Sequence, residues 1–192
     1  MRWRSCLWDA AQRRAGCGRV TAHAAREVFA QLRASHRAGT WVPAFGQDWA
    51  RALEDSRRSY SLTPLQDVVR SWQARLTAAL SVEAFLALGR DDSDGVDLAD
   101  ALADAGEDMP WPARLSPGSL ATLRVLPEHA CEMFRDVLDI AGRDPWSFPA
   151  YFDSRNPEGE DVRSASVGQL TAVYCINRLA GRLYVLDIVW LG

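Results

Sequence analysis

The sequence predicts an α+β protein: a small N-terminal helical bundle, followed by two helices packed on a mostly antiparallel sheet of about four strands. Three observations carry that expectation. In the first half, apolar residues recur at helical spacing in stretches poor in Gly and Pro. Near the end the period changes to two, with Leu170, Ala172, Tyr174 and Ile176 alternating with Thr171, Val173 and Cys175. Charge is also partitioned: Met1–Ala38 holds eight Arg against two acids, Gly39–Asp108 six Arg against 13 acids, and Met109–Gly192 eight Arg against 10 acids. Such blocks mark separate segments rather than one evenly mixed domain.

Within the helical half, His23–Ala34 puts Ala25, Val28, Phe29 and Leu32 on one face, with Gly39 as its stop. Phe45, Trp49, Ala52 and Leu53 form a second helical pattern after Pro43. Thr63-Pro-Leu-Gln66 reads as a helix start, with a Thr cap, Pro in the first turn and Gln at the capping-box position. Behind it runs an apolar stripe of Leu65, Val69, Trp72, Leu76 and Leu80, and Ser81 is expected to cap a further short helix carrying Val82, Phe85 and Leu88. The expected divisions are an Arg-rich, poorly ordered leader over 1–19, a helical domain over 20–90, an acidic linker and helix over 91–108, and a fourth segment over 109–192.

That last segment opens with Trp111–Leu115, an edge strand because Pro110 and Pro112 suit only an edge. Ser116-Pro117 caps a short helix with Leu120, Leu123 and Leu126. Pro127 opens another, with Ala130, Phe134, Val137, Leu138 and Ala141 on one face, and Asp144-Pro145 forces the chain out of it. Asn177–Gly181 is a hairpin-sized connection, and Leu183–Leu191 is apolar on both faces apart from Asp187, as a central strand would be.

Several chemistries fail on spacing. Placing Gly95 at the sixth position of a calcium loop puts Arg90 first and Ala101 twelfth, so Asp91–Asp97 reads instead as a solvated loop with Asp97 capping a helix. Cys6, Cys17, His23 and His36 lack zinc-finger spacing. There is no Gly-rich phosphate loop or nucleophile elbow, so no cofactor and no metal is expected. No apolar run approaches the roughly 20 residues that span a bilayer, so no membrane partner is expected. The scattered cysteines and the absence of a secretory apolar stretch near Met1 fit a cytoplasmic chain.

The order strand, two helices, antiparallel strands resembles the RelE/ParE superfamily of bacterial type II toxins over about 80 residues. The supporting residues are Leu115-Ser-Pro-Gly-Ser-Leu-Ala-Thr-Leu, Leu126-Pro, the Asp144-Pro145 exit, Val167-Gly-Gln-Leu-Thr-Ala-Val-Tyr174 and Leu183-Tyr-Val-Leu-Asp-Ile-Val. The first half, through Trp49-Ala-Arg-Ala-Leu-Glu and Leu65-Gln-Asp-Val-Val-Arg-Ser-Trp72, resembles short acidic helical proteins encoded beside such toxins as presumed antitoxins. The resemblance implies one polypeptide that joins both partners, with an intramolecular antitoxin–toxin contact; self-association into a homo-oligomer stays open. For the toxin-like half it implies either mRNA cleavage on the ribosome or, as in ParE-like members, non-enzymatic inhibition of gyrase; an inert, degenerate fusion is the third reading.

RNA cleavage through the 2′-hydroxyl needs proton transfer and cations on the phosphorane. The family commonly supplies Arg or Lys on the central strands and a late Tyr or His. This chain departs from that pattern, with Thr171 where the strand would carry Arg and no His behind Trp190. The expected catalytic candidates are therefore Arg163, as phosphate contact, and Tyr174, as acid/base or stacking group. Arg178 and Arg182, flanking the hairpin, are the expected nucleic-acid or partner contacts.

Overall fold

A computed structural model describes residues 22–102, 109–146 and 159–192 of the chain. The Arg-rich leader expected over 1–19 lies outside the described residues. The chain divides into two compact units, Met1–Gln73 and Ala74–Gly192.

The first unit is helical. Helix α1 covers residues 22–34, α2 runs Ala38–Ser59, and α3 (Thr63–Ala87) begins here. The α1–α2 break is made not by Gly39, which lies in the first turn of α2, but by a turn at Ser35–Arg37. There the Ser35 hydroxyl accepts the Arg37 N–H at 3.1 Å. A left-handed Tyr60 (φ 52°) ends α2. The start of α3 is capped slightly earlier than expected, since Ser61 Oγ accepts the Thr63 N–H at 3.1 Å. Val28, Leu32, Trp41, Phe45, Leu65, Val69 and Trp72 are buried. Trp72 is the hub, meeting Trp41 and Phe45 edge-on with centroids 5.9 and 5.8 Å away and donating its indole N–H to Asp48 at 3.1 Å.

The second unit is a five-stranded mixed sheet with helices. Its elements are the rest of α3, β1 (Val96–Asp97), α4 (Leu98–Ala101), β2 (Ala113–Leu115), α5 (Pro117–Leu123), α6 (Glu128–Arg143), a 3-10 turn (Gly159–Asp161), β3 (Val162–Val167), β4 (Leu170–Asn177) and β5 (Arg182–Trp190). Strand order is β1-β2-β5-β4-β3, with β2 parallel to β5 and every other pair antiparallel. Three expectations change. The sheet has five strands rather than about four, because Val96–Asp97, expected as loop and helix cap, forms β1. Helix α3 runs unbroken through Ser81, because nothing between Leu80 and Val82 interrupts it. Strand β2 is internal rather than an edge, because β1 pairs with its outer side through Val96↔Leu115 and Asp97↔Arg114.

Ser116 caps α5 as its sequence demands, accepting the Ser119 N–H at 3.1 Å with Pro117 in the first turn. Helices α5 and α6 bury Leu123, Phe134, Val137 and Leu138 against Leu115, Leu170, Tyr174, Ile176, Leu183 and Val185. The two-faced apolar run of β5 has a geometric cause. Register slips between Val173↔Asp187 and Tyr174↔Val185, leaving Leu186 as an extra residue. The parity of inward positions changes there, so Leu183 and Val185 are followed in the same core by Ile188, with Trp190 packed against it. The non-core side of β5 meets α3, where Phe85 stacks on Tyr184 (centroids 5.3 Å, rings 27° apart) and Ser81 Oγ donates to Asp187 at 2.8 Å.

Candidate functional site

Arg163 and Tyr174 come together: they are directly opposed residues of β3 and β4. Both are enclosed, with 4% and 0% of their surfaces exposed. The Tyr174 hydroxyl donates to the Pro145 carbonyl at 3.1 Å, and Arg163 Nε donates to the Glu160 carbonyl at 3.2 Å. Burial pushes the Tyr174 phenol up to about 12, against the opposing charge of Arg163 and with a further upward push from Asp144. A phenol in that state holds its proton at neutral pH and is bonded to backbone rather than directed at solvent. Thr171 shares a 2.9 Å hydrogen bond with Ser166.

Arg178 and Arg182 stand at the two ends of the β4–β5 hairpin and serve different partners. Arg178 is half exposed, bonds Asp161 through Nε at 2.7 Å and lies over the Trp146 ring at 5.6 Å. Arg182 forks onto Asp92, Nε to Oδ2 at 2.9 Å and Nη2 to Oδ1 at 2.6 Å.

Asp92 opens a second set of contacts that spacing alone did not show. The segment 91–97, whose last two residues form β1, lies beside β2, β5 and β4 and meets a polar group on each. Asp92 Oδ2 also accepts from the Asn177 side chain at 2.9 Å, and Asp94 accepts from the Tyr184 hydroxyl at 2.6 Å. Arg114 Nε lies 3.0 Å from Asp97 Oδ1, an ion pair without in-line hydrogen-bond geometry. Its Nη1 donates to the Asp92 carbonyl at 3.1 Å and its Nη2 to the Gly95 carbonyl. Gly95 permits this approach, since a Cβ there would stand 2.8 Å from Tyr184 Cε2 and 3.1 Å from Arg114 Cβ.

Electrostatics follow the contacts. The Arg182 hydrogen bond holds the Asp92 carboxyl below its usual range, outweighing burial and helped by Asn177. The same pairing raises Arg182. Burial first, and the Asp94 hydrogen bond second, push the Tyr184 phenol upward. Beside this edge lies a cavity of about 480 Å³, walled by Phe85, Arg90, Asp161, Cys175, Arg178 and Tyr184 among others. The Cys175 thiol in its wall is pushed up to about 11 by burial. Among the described residues, no three His, Cys, Asp or Glu side chains converge on a metal-sized site.

Sequence reasoning thus passed over Phe85, Asp92, Asp94, Arg114 and Tyr184. The signal in the sequence is the density of carboxylates in Asp91–Asp97, which fits the strand arginines rather than calcium or bulk solvent.

The fold and site define an α+β chain whose sheet-bearing unit carries an acidic loop on its strand ends. Residues 18–109, just under half of the chain, are similar to a family described only as a family of unknown function (DUF6247). No curated protein and no solved structure matches the chain. In the described residues, no helix is long and apolar enough to cross a membrane.

Proposed function

We propose that this chain is a type II toxin–antitoxin-like fusion, in which the acidic helical half neutralises a RelE/ParE-like half beginning near Met109. One observation carries the reading. Carboxylates from the segment preceding Met109 occupy Arg182 and Arg114 on the sheet-bearing module, and Phe85 of the same segment covers Tyr184. Two further points support it. The order β2, α5, α6, β3, β4, β5 is that expected from the resemblance. The family likeness also ends at residue 109, where the toxin-like half would start. A covalent tether keeps the covering segment at millimolar effective concentration, so modest contacts suffice.

For the action of the neutralised half, mRNA cleavage on the ribosome is one reading. A second, ParE-type reading as a non-enzymatic inhibitor of a partner such as gyrase is favoured by the enclosure of Arg163 and Tyr174. Expression in bacteria separates these readings. The full chain should be tolerated and residues 109–192 alone should arrest growth. RNA end-mapping then reports cleavage, abolished by Arg163→Ala, while a supercoiling assay reports gyrase inhibition. A soluble, sheet-containing 109–192 product that leaves growth unchanged would overturn the fusion reading in favour of an inert pair.

A further inference from the structure

Phe29 belongs to the apolar stripe of α1 yet keeps 38% of its surface exposed, and it lines an open groove of about 430 Å³ between α1 and α2. We propose that this groove docks an amphipathic helix of a partner protein, with two carboxylates seven residues apart on Arg26 and Arg33 and an apolar face on Phe29, Phe45 and Trp49. All of these residues belong to the first unit, so the site goes beyond the toxin-like reading of the second half and does not depend on it.

Helix geometry builds the two walls. Ala22, Arg26, Phe29 and Arg33 recur at three- and four-residue spacing and so share one side of α1, while Phe45 and Trp49 lie one turn apart on α2. The rings form a continuous floor: Phe29 and Phe45 have centroids 6.2 Å apart, and Phe45 stacks on Trp49 at 6.0 Å with the rings 23° from parallel. Floor and rim join at Arg33, whose guanidinium carbon lies 5.8 Å from the Phe29 centroid. Ala22 and Ala30 keep the α1 wall low, so a helix axis can approach to the usual separation of about 8–10 Å.

Charge selects the occupant. The arginines of α2 are taken, Arg51 beside Asp48 at 3.8 Å and Arg57 and Arg58 beside Glu54 at 3.7 and 3.2 Å. Arg26 and Arg33 are exposed, and among the described residues neither meets a carboxylate. Two helical turns, about 10.5 Å, separate them, which is the span of two acids seven residues apart on a docked helix. Between those acids, apolar side chains one turn on would fall on Phe29 and Trp49, and aromatic and Arg side chains in a groove are the usual anchors of such contacts. The leader Met1–Arg19 has the wrong sign for this rim, with five Arg against Asp9. A nucleic-acid strand draws its affinity from each phosphate neutralised, and two cations supply little of it.

The test uses the full chain and fluorescein-labelled, alanine-based helical peptides of about 16 residues, with anisotropy as readout. The acidic peptide carries two Glu seven positions apart, with Leu at the third and fourth positions after the first; its counterpart carries Lys in place of Glu. The acidic peptide should bind, more weakly as salt rises, and the Lys peptide should not. Arg26→Gln with Arg33→Gln, and separately Phe29→Ala, should weaken binding at least about tenfold. Arg57→Gln with Arg58→Gln, on the same helical unit but outside the groove, should leave it unchanged. Circular dichroism checks that each variant keeps its helices; should Phe29→Ala lose them, the exposed Arg26 and Arg33 pair decides alone. No binding of the acidic peptide, equal binding of the Lys peptide or of a Met1–Arg19 peptide, or an equal loss in the Arg57 and Arg58 variant overturns the proposal. So does tighter binding of oligothymidine through the same two arginines, which would make the groove a strand site. Sedimentation showing a dimer that Arg26→Gln with Arg33→Gln dissolves would give the groove to a second copy of the chain and overturn it equally.

Discussion

Arg182 and Asp92, 90 residues apart in the chain, meet fork to fork through bonds of 2.9 and 2.6 Å. The carboxylate is almost enclosed, so removing one partner strands the other. Asp92→Ala should lower stability by about 1–3 kcal/mol at neutral pH. The pH dependence has a definite sign. The folded Asp92 pKa lies below the unfolded value of 3.8, so its contribution is fully present above that value and is lost as pH falls through the lower, folded one. Thermal melts from pH 7 to pH 2 should show wild type losing more stability on acidification than Asp92→Asn. Parallel curves would refute the linkage.

Tyr174 gives the opposite linkage. Burial raises its phenol to about 12, so the folded state prefers the neutral form. Its contribution is complete below the unfolded value of 10.0 and is lost as pH rises through about 12. Tyr174→Phe removes only the bond to Pro145 and should cost about 0.5–1.5 kcal/mol. Ultraviolet difference spectra of folded wild type and Tyr174→Phe should coincide at pH 10. A phenolate signal at that pH, absent from the variant, would show Tyr174 to be open to solvent.

The core of the second unit was legible because its patterns are strong. The positions expected on α6, Ala130, Phe134, Val137, Leu138 and Ala141, are all buried, and the alternation of β4 marked its inward face. Leu80 misled: it continues the Leu65–Leu76 stripe in sequence yet is 75% exposed, while Ala78 and Val82 on either side are buried. Periodicity reports a face and cannot report that a long helix changes what it packs against. The site failed for a related reason. Asp92 and Arg182 carry no mutual signal in sequence, since their meeting depends on strand order. The bulge at Leu186 was equally silent, because it is a property of the β4–β5 register.

Core and surface substitutions should separate sharply. Phe134 is fully buried beneath the sheet, and Phe134→Ala should cost about 3–5 kcal/mol through lost transfer energy and the remaining cavity. Val125 is 80% exposed, and Val125→Ala should stay within about 0.5 kcal/mol. Urea titrations of the two variants measure the contrast, and similar midpoints would contradict the described core.

Cys175 belongs to the wall of the cavity, yet it is only 4% exposed and its thiol is raised to about 11. Alkylation requires the thiolate, so at pH 8 the native protein should react slowly at this position. Iodoacetamide labelling followed by peptide mass mapping should show Cys175 unmodified in buffer and modified in urea. Rapid native labelling would mean that the cavity opens readily enough to deliver the thiol to solvent.

Gly95 tests whether the acidic loop is held by fit as well as by charge. An added methyl would lie 2.8 Å from Tyr184 Cε2, 3.1 Å from Arg114 Cβ and 3.2 Å from the Asp92 carbonyl oxygen. None of these is the free end of a flexible chain: the ring is stacked on Phe85, and the carbonyl accepts from Arg114. Gly95→Ala should therefore introduce strain of about 1–3 kcal/mol, although alanine restricts the unfolded chain more than glycine does. The strain is local, so it should appear as faster amide hydrogen exchange over residues 91–98 while Phe134 and its neighbours on α6 keep wild-type protection. Loss of protection throughout the second unit would instead make the loop part of a single cooperative core. Unchanged exchange over 91–98 would mean that Tyr184 and Arg114 yield to the methyl without cost.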